Sequence, residues 1–346
     1  MKNRIAYSCI CMVLGATAIA GCGTEEIADT PENGDAIRFN AVVANRSRAV
    51  PTTTSSIKEF TVYAFTQNSM LMNGVQVTRE GGQWVYSPQA YWPTSPVNFY
   101  AYSPEINNSP NITGGEGGNI PGYLNDGTVD LLYSTKIGVS QHSAPVNLNF
   151  RHAMANVNVL LSSTNTRIQV KVSHVLVNNV YIKGTFDFPQ QSTDASSPGV
   201  TGTWSMLQNL DRMLFFYALS PDDEVTLTSL PTNYAIGNLN VGFIIPQPLI
   251  DVSLENGVYA GSYIAVECEI FDTATGAKLW PNSNTPDYML VDQTELGRIV
   301  YPVVSPNVTE WLPGHAYNYN ITINNPSVLD KIEFDVTVDE YNVDEM

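Results

Sequence analysis

Residues 331–339 read KIEFDVTVD, and the stretch alternates polar and apolar side chains without a break. Successive side chains of an extended chain point to opposite faces. Ile332, Phe334, Val336 and Val338 therefore share one face, and Lys331, Glu333, Asp335, Thr337 and Asp339 the other. Such a pattern specifies a half-buried strand. The beginning of the folded part carries the same signature: in IRFNAVV, from residue 37, Ile37, Phe39, Ala41 and Val43 alternate with Arg38, Asn40 and Val42. The two ends are interchangeable in pattern.

Between them, short runs rich in Val, Ile, Tyr, Phe and Thr recur, among them EFTVYAF, VNFYAYSP, NVNVLL, IQVKVSHVLV and YIAVECEIF. Gly, Pro, Asn, Asp and Ser punctuate them, and no window of helical length keeps an apolar stripe at helical spacing. With 24 Gly and 21 Pro, the expected fold is all-β: two tandem β-sandwich domains of transthyretin-like or Greek-key type, with few short helices. The polar stretch PQQSTDASSPGVTG, residues 189–202, reads as a linker between an N-terminal domain over 37–188 and a C-terminal domain over 203–346. A second polar stretch, residues 107–122, reads as a long loop within the first domain.

The leader bounds the compartment. Lys2 and Arg4 precede ICMVLGATAIA, a run too short to span a bilayer but suited to a signal peptide over residues 1–21. It ends in IAGC, small residues before a cysteine, as lipoprotein signal peptidase requires. Cys22 is thereby expected to become a lipidated N-terminus, and two or three acyl chains on one residue give stable anchoring. Residues 22–36, rich in Asp, Glu, Gly and Pro, read as an acidic tether. Cys9 and Cys11 leave with the leader and Cys22 is acylated, so Cys268 alone keeps a thiol. It is in phase with Ile264, Val266 and Ile270, which makes it a core residue and leaves no internal disulfide. A net charge of −17, which becomes more negative once the leader's two cations are removed, makes nucleic acid a poor partner.

The loop after the first strand, residues 44–56, holds Arg46 and Arg48 followed by Thr and Ser. It is the kind of polar segment that a trypsin-like protease cuts. Once cut there, the first strand would be held only by pairing and packing. Burial of its four inward side chains is worth about 5–8 kcal/mol as an upper estimate. The terminal strand of another copy, with larger inward side chains, could replace it.

Several segments in fixed order resemble the fimbrillin family of lipoprotein pilins, the subunits of type V pili. They are IRFNAVVANRSRA after the lipobox, FTVYAF, WVYSPQAYWP and VNFYAYSP at residues 84–104, LNFRHAMANVNVLL at 148–161, VGFIIPQPL at 241–249 and WLPGHAYNYNITI at 311–323. The resemblance implies two β-sandwich domains and a lipid-anchored, surface-exposed precursor in the outer membrane. It also implies removal of the N-terminal strand by an arginine-specific protease and strand-exchange polymerisation with other fimbrial subunits into an adhesive fimbrium. Residue by residue, Cys22 matches the lipidated cysteine, Arg46 or Arg48 the cleavage arginine, and Ile332 to Val338 the donor strand. Two arginines stand where one would suffice, so the scissile bond stays open.

A rival reading is a surface glycan-binding lipoprotein, since tandem sandwiches with exposed aromatics bind sugars by stacking. The 18 Tyr and 5 Trp fall mostly inside strand patterns, which favours core roles. No enzyme, cofactor or metal is expected. His142, His152, His174 and His315 show no ligand spacing, and His152 has no acid neighbour in sequence. Asp222, Asp223 and Glu224 read as an acidic turn, and DTA at 272–274 resembles a short O-glycosylation signal.

Overall fold

The computed structural model describes residues 35–44, 52–113, 117–234, 242–325 and 333–340. Its N-terminal sheet is built from β1 (Phe39–Val43), β2 (Glu59–Phe65), β3 (Met70–Glu80), β4 (Gln83–Val85) and β5 (Val97–Ser103). After a hairpin of β6 (Asn111–Thr113) and β7 (Gly117–Leu124), which joins a different sheet, it is completed by β8 (Leu132–Val139) and β9 (Val146–His152). The spatial order is β1-β9-β8-β5-β2-β3-β4. Phe39 on β1 nevertheless lies edge-on to Phe60 of β2 at 5.8 Å. Contact between strands so far apart in that order means that the sheet curls over its own apolar face. The core inside the curl runs from Ile37 to Phe150.

The second half opens with β10 (Ala155–Ser162), the long β11 (Ile168–Asp187) and β12 (Thr203–Tyr217). Short strands follow: β13 (Val225–Thr226), β14 (Thr232–Asn233), β15 (Phe243–Ile244), β16 (Gln247–Pro248), β17 (Ser253–Glu255) and β18 (Val258–Ala260). The last described strands are β19 (Tyr263–Asp272), β20 (Lys278–Trp280), β21 (Gly297–Pro302), β22 (Glu310–Trp311), β23 (His315–Thr322) and β24 (Glu333–Glu340). One sheet runs β20-β19-β11-β7-β6, with β12 and β13 beside β11 and β21 beside β19. Another runs β14-β10-β23-β24, with β15 beside β10. The second core lies between them, from Ala155 to Ile323, and includes the buried Cys268. Two 3-10 turns, Pro221–Asp223 and Asp287–Met289, are the only helical elements among the described residues.

All-β architecture with two sandwich cores matches the expectation, but the division between them does not fall at 189–202. β10 and β11 already contribute Ala155 to Val180 to the second core, and β11 pairs with β19 from Ile168↔Asp272 to Asn178↔Tyr263. The core changes over near Ala153 and Met154, which lie in a third cluster between the two halves. The expected loop at 107–122 is largely the β6–β7 hairpin. β7 pairs with the far end of β11, so that the halves share a sheet.

Residues 189–202 are polar for a different reason from a free linker. They form a strap across β8 and β9. Thr193 donates its amide to the Thr135 carbonyl at 2.8 Å and its hydroxyl to the Asn149 carbonyl at 2.8 Å. The Ile137 amide donates to the Ser192 hydroxyl at 2.9 Å, and Lys136 pairs with Asp194. Arg151, fully buried, donates to the carbonyls of Asp194 at 3.0 Å, Ser197 at 3.2 Å and Pro198 at 3.2 Å. A buried cation surrounded by carbonyl dipoles is how such a charge is tolerated inside. Where the strap ends, a Cβ on Gly202 would lie 2.3 Å from Phe186 Cζ, so only glycine fits that close approach.

Candidate functional site: the first strand and the last

β1 forms by the alternation read in the sequence, and its inward face is closed to solvent: Ile37 is 0%, Phe39 5%, Ala41 5% and Val43 4% exposed. It pairs in parallel with β9, from Phe39↔Val146 to Val43↔Phe150. Phe39 fills the bottom of the groove, with ring centroids 5.8 Å from Phe99 and 5.6 Å from Tyr86. Without β1, Phe60, Phe99, Leu148 and Phe150 would line an open apolar trough.

Both ends of the strand are pinned. At its start, the Ile37 amide donates to the Ala90 carbonyl at 2.9 Å and the Trp92 amide to the Asp35 carbonyl at 3.0 Å. The Tyr86 hydroxyl donates to the Ile37 carbonyl at 2.7 Å. At its end, the Val43 amide donates to the Thr54 hydroxyl at 2.9 Å, and the Ala44 amide to the Phe150 carbonyl at 2.9 Å.

The Ala44 carbonyl faces His152 Nε2 at 3.1 Å. The other ring nitrogen, Nδ1, lies 2.9 Å and 3.0 Å from the two carboxylate oxygens of Asp130. Asp130 Oδ2 in turn accepts the Thr52 amide at 2.7 Å. The expectation that His152 lacks an acid neighbour is thus corrected: the acid comes from the segment before β8, 22 positions earlier. Both ring nitrogens face oxygen acceptors. Strand alternation sends His152 towards β1 and Arg151 to the strap on the opposite face.

At the other end, β24 pairs antiparallel with β23, from Thr322↔Glu333 to His315↔Glu340, and lies at the edge of its own subunit's sheet. Its docking is shallow. Val336 is half-buried against the second core, and Val338 is 41% exposed. On the other face, Asp339 accepts a long hydrogen bond from Asn318 at 3.4 Å.

Cys22, Arg46, Arg48 and Ile332 lie outside the described residues, and for Phe334 only the backbone is described. The acidic turn has protein partners: Asp223 accepts the Ser220 hydroxyl at 2.9 Å and Glu224 the Ser173 hydroxyl at 2.6 Å. In the DTA segment the Thr273 hydroxyl donates to the Thr166 carbonyl at 3.0 Å. Burial pushes the Cys268 thiol far above the usual thiol range. All five tryptophans are buried or half-buried.

The site is therefore one of strand pairing in an all-β protein of two sandwich cores, with an alternating strand at each end of the folded chain. A family model described as fimbrillin-like matches residues 47–340, and the chain belongs to that family. A search of the curated proteins found no match. Among solved structures, a candidate cell adhesion protein from Bacteroides uniformis is 14% identical, with a TM-score of 0.50 over 88% of this chain and 99% of its own. A fimbrial protein from Bacteroides vulgatus is 13% identical, with a TM-score of 0.49 over 88% and 99%. A fimbrilin from Porphyromonas gingivalis is 12% identical, with a TM-score of 0.42 over 91% and 99%. At these identities the likeness to the first is one of fold.

Proposed function

We propose that this chain is a structural subunit of a surface fimbria that contributes to adhesion. It is exported as a precursor anchored in the outer membrane through Cys22. An arginine-specific protease cuts after Arg46 or Arg48, β1 leaves, and the terminal strand of another subunit takes its groove. The observation that carries this reading is the match between the vacated positions and the tail. Ile37, Phe39, Ala41 and Val43 are the buried set of β1, and Ile332, Phe334, Val336 and Val338 repeat it at the same spacing.

A like-for-like replacement running parallel to β9 places Phe334 where Phe39 sits among Phe60, Tyr86 and Phe99, and Val336 where Ala41 sits. The exchange is driven by apolar burial and a new ladder of backbone hydrogen bonds. Loss of the cut strand makes reversal slow.

Limited trypsin digestion of the soluble precursor, with N-terminal sequencing and native sizing, tests the proposal. The expected result is one early cut after Arg46 or Arg48, followed by a ladder of oligomers. A stable monomer after cutting, or resistance of the loop, would contradict it.

A further inference from the structure

Cutting a loop and releasing the strand before it are separate events, and the contacts flanking residues 45–51 bear on the second. Ala44, the last described residue on the β1 side, is tied through its carbonyl to His152. Thr52, the first described residue on the far side, is tied through its amide to Asp130. Asp130 and His152 bind each other, and both are buried. One hydrogen-bonded Asp–His unit thus grips both flanks of the segment that carries Arg46 and Arg48. A cut after either arginine leaves each new chain end within a few residues of that grip. Thr54 adds a second tie on the β1 side, accepting the Val43 amide at 2.9 Å and donating to the Val43 carbonyl at 3.3 Å.

We propose that the Asp130–His152 pair is a latch that retains β1 after the chain is cut, so that processing yields a nicked but still closed subunit. Asp130 and His152 are positioning residues: they hold the strand end whose departure opens the groove. The latch is not sealed in the core. Asp130 and Thr52 also line an open cleft of about 630 Å³ with Lys58, Glu59, Ser103 and Thr128, so solvent reaches the Asp130–Thr52 side of the latch. An arriving strand that peels β1 from β9 must also pull the Ala44 carbonyl off His152, because Ala44 follows Val43 at the end of the β1–β9 ladder. The latch thereby makes release depend on the incoming tail, and a cut subunit without a neighbour keeps its apolar trough covered.

The inference rests on the strand-exchange reading for its biological sense, but its test does not need the natural protease. A recognition sequence for a site-specific protease is placed between residues 45 and 51 of the full chain, which is then cut to completion. Dissociation of the β1 peptide is followed by native mass spectrometry, for the parent and for His152→Gln and Asp130→Asn. Hydrogen bonds to charged groups are among the stronger ones. The expected result is that β1 stays bound in the cut parent, held dilute so that no neighbour's tail arrives, for far longer than the cutting takes, and leaves about tenfold faster or more in each variant. Equal release rates in parent and variants would overturn the latch, as would immediate loss of β1 from the parent.

Should either variant fail to fold, hydrogen exchange on the cut parent decides: the latch requires the Ala44 and Thr52 amides to stay protected after cutting, and prompt exchange at both would overturn it. If β1 is retained by the latch but released subunits never polymerise, the latch stands and the strand-exchange reading fails. If β1 leaves freely and polymers form, the reverse holds.

Discussion

β1 and β24 carry the same alternating pattern and occupy the same kind of place, the edge of a sheet, yet they differ sharply in depth. Ile37 before β1 and Phe39, Ala41 and Val43 within it are 5% exposed or less, and the strand's two ends are hydrogen-bonded to residues 90–92, Thr54 and His152. β24 is paired along its length with β23, but Val336 is only half-buried and Val338 is 41% exposed. Alternation states which side chains can share a face. How much that face buries depends on what the fold offers opposite: β1 closes a sheet that curls around it, whereas β24 is laid on a core already closed by β10 and β23. A strand held deeply and one held lightly, with matching patterns in sequence, is what the proposed exchange between copies requires.

The comparison can be broken most forcefully at Phe39. Phe39→Asp places a carboxylate among Phe60, Tyr86 and Phe99, and unfolding in urea should show a loss of about 4 kcal/mol or more in the uncut precursor. A loss below 1 kcal/mol would mean that β1 is not integral to its sheet. Arg151→Ala should come next. Removing the cation frees the carbonyls of Asp194, Ser197 and Pro198 and loosens the strap, with an expected loss of about 3 kcal/mol and protease cleavage within 189–202 that the parent resists.

Deleting residues 326–346 should lower stability by only roughly 1–3 kcal/mol, because Val336 is the one described apolar side chain of β24 that packs on the core. The monomer should remain folded by circular dichroism and fail to polymerise. Val338→Asp should change monomer stability by less than about 0.5 kcal/mol, as expected of an exposed site, while still impairing assembly. A substitution so mild in the monomer and so harmful in the polymer would sharpen the contrast between the two settings of one strand.

A pH-dependent effect is expected in the sandwich that carries β24. Burial alone would push the Glu267 carboxyl up, but hydrogen bonds from His174 and Arg298 hold it below its usual 4.5. The contacts are short, 2.7 Å from His174 and 2.8 Å from Arg298. A carboxyl whose folded value is depressed contributes stability above its unfolded value, and loses it as pH falls through the folded one. Thermal melts should therefore show destabilisation below about pH 4.5 that Glu267→Gln reduces. An unchanged acid profile in that variant would remove Glu267 from the account.

Much of this was legible in the sequence where the signal was local. Period-two alternation placed β1 and β24, the phase of Cys268 with its neighbours placed it in the core, and most aromatics inside strand patterns are buried, with Tyr91 at 51% and Tyr217 at 40% exposed as exceptions. What was not legible depends on pairing across the chain. His152 is read as lacking an acid because Asp130 is distant in sequence and is brought up by the β8–β9 pairing. Arg151, its immediate neighbour, has no local signature for the same reason: its partners are carbonyls of a strap whose composition imitates a linker. Polar composition marks a segment whose side chains are not in an apolar core, and it does not distinguish a free tether from a strap hydrogen-bonded to a sheet. The parallel register of β1 on β9 has no local signature either.

The central claim is that the tail of one copy occupies the place of β1 in another, and a pair of cysteines reads that directly. Asn40 faces Asn147 across the β1–β9 ladder, and like-for-like replacement puts Asp335 at the place of Asn40. In a soluble form beginning after Cys22, carrying Asn147→Cys and Asp335→Cys, mild oxidation after trypsin cutting should yield a disulfide-linked ladder of subunits on non-reducing gels. Uncut protein should stay monomeric. A cut protein that remains monomeric, while the variant Asn318→Cys with Thr337→Cys closes a disulfide within each subunit, would show that the tail stays at home and would contradict the exchange.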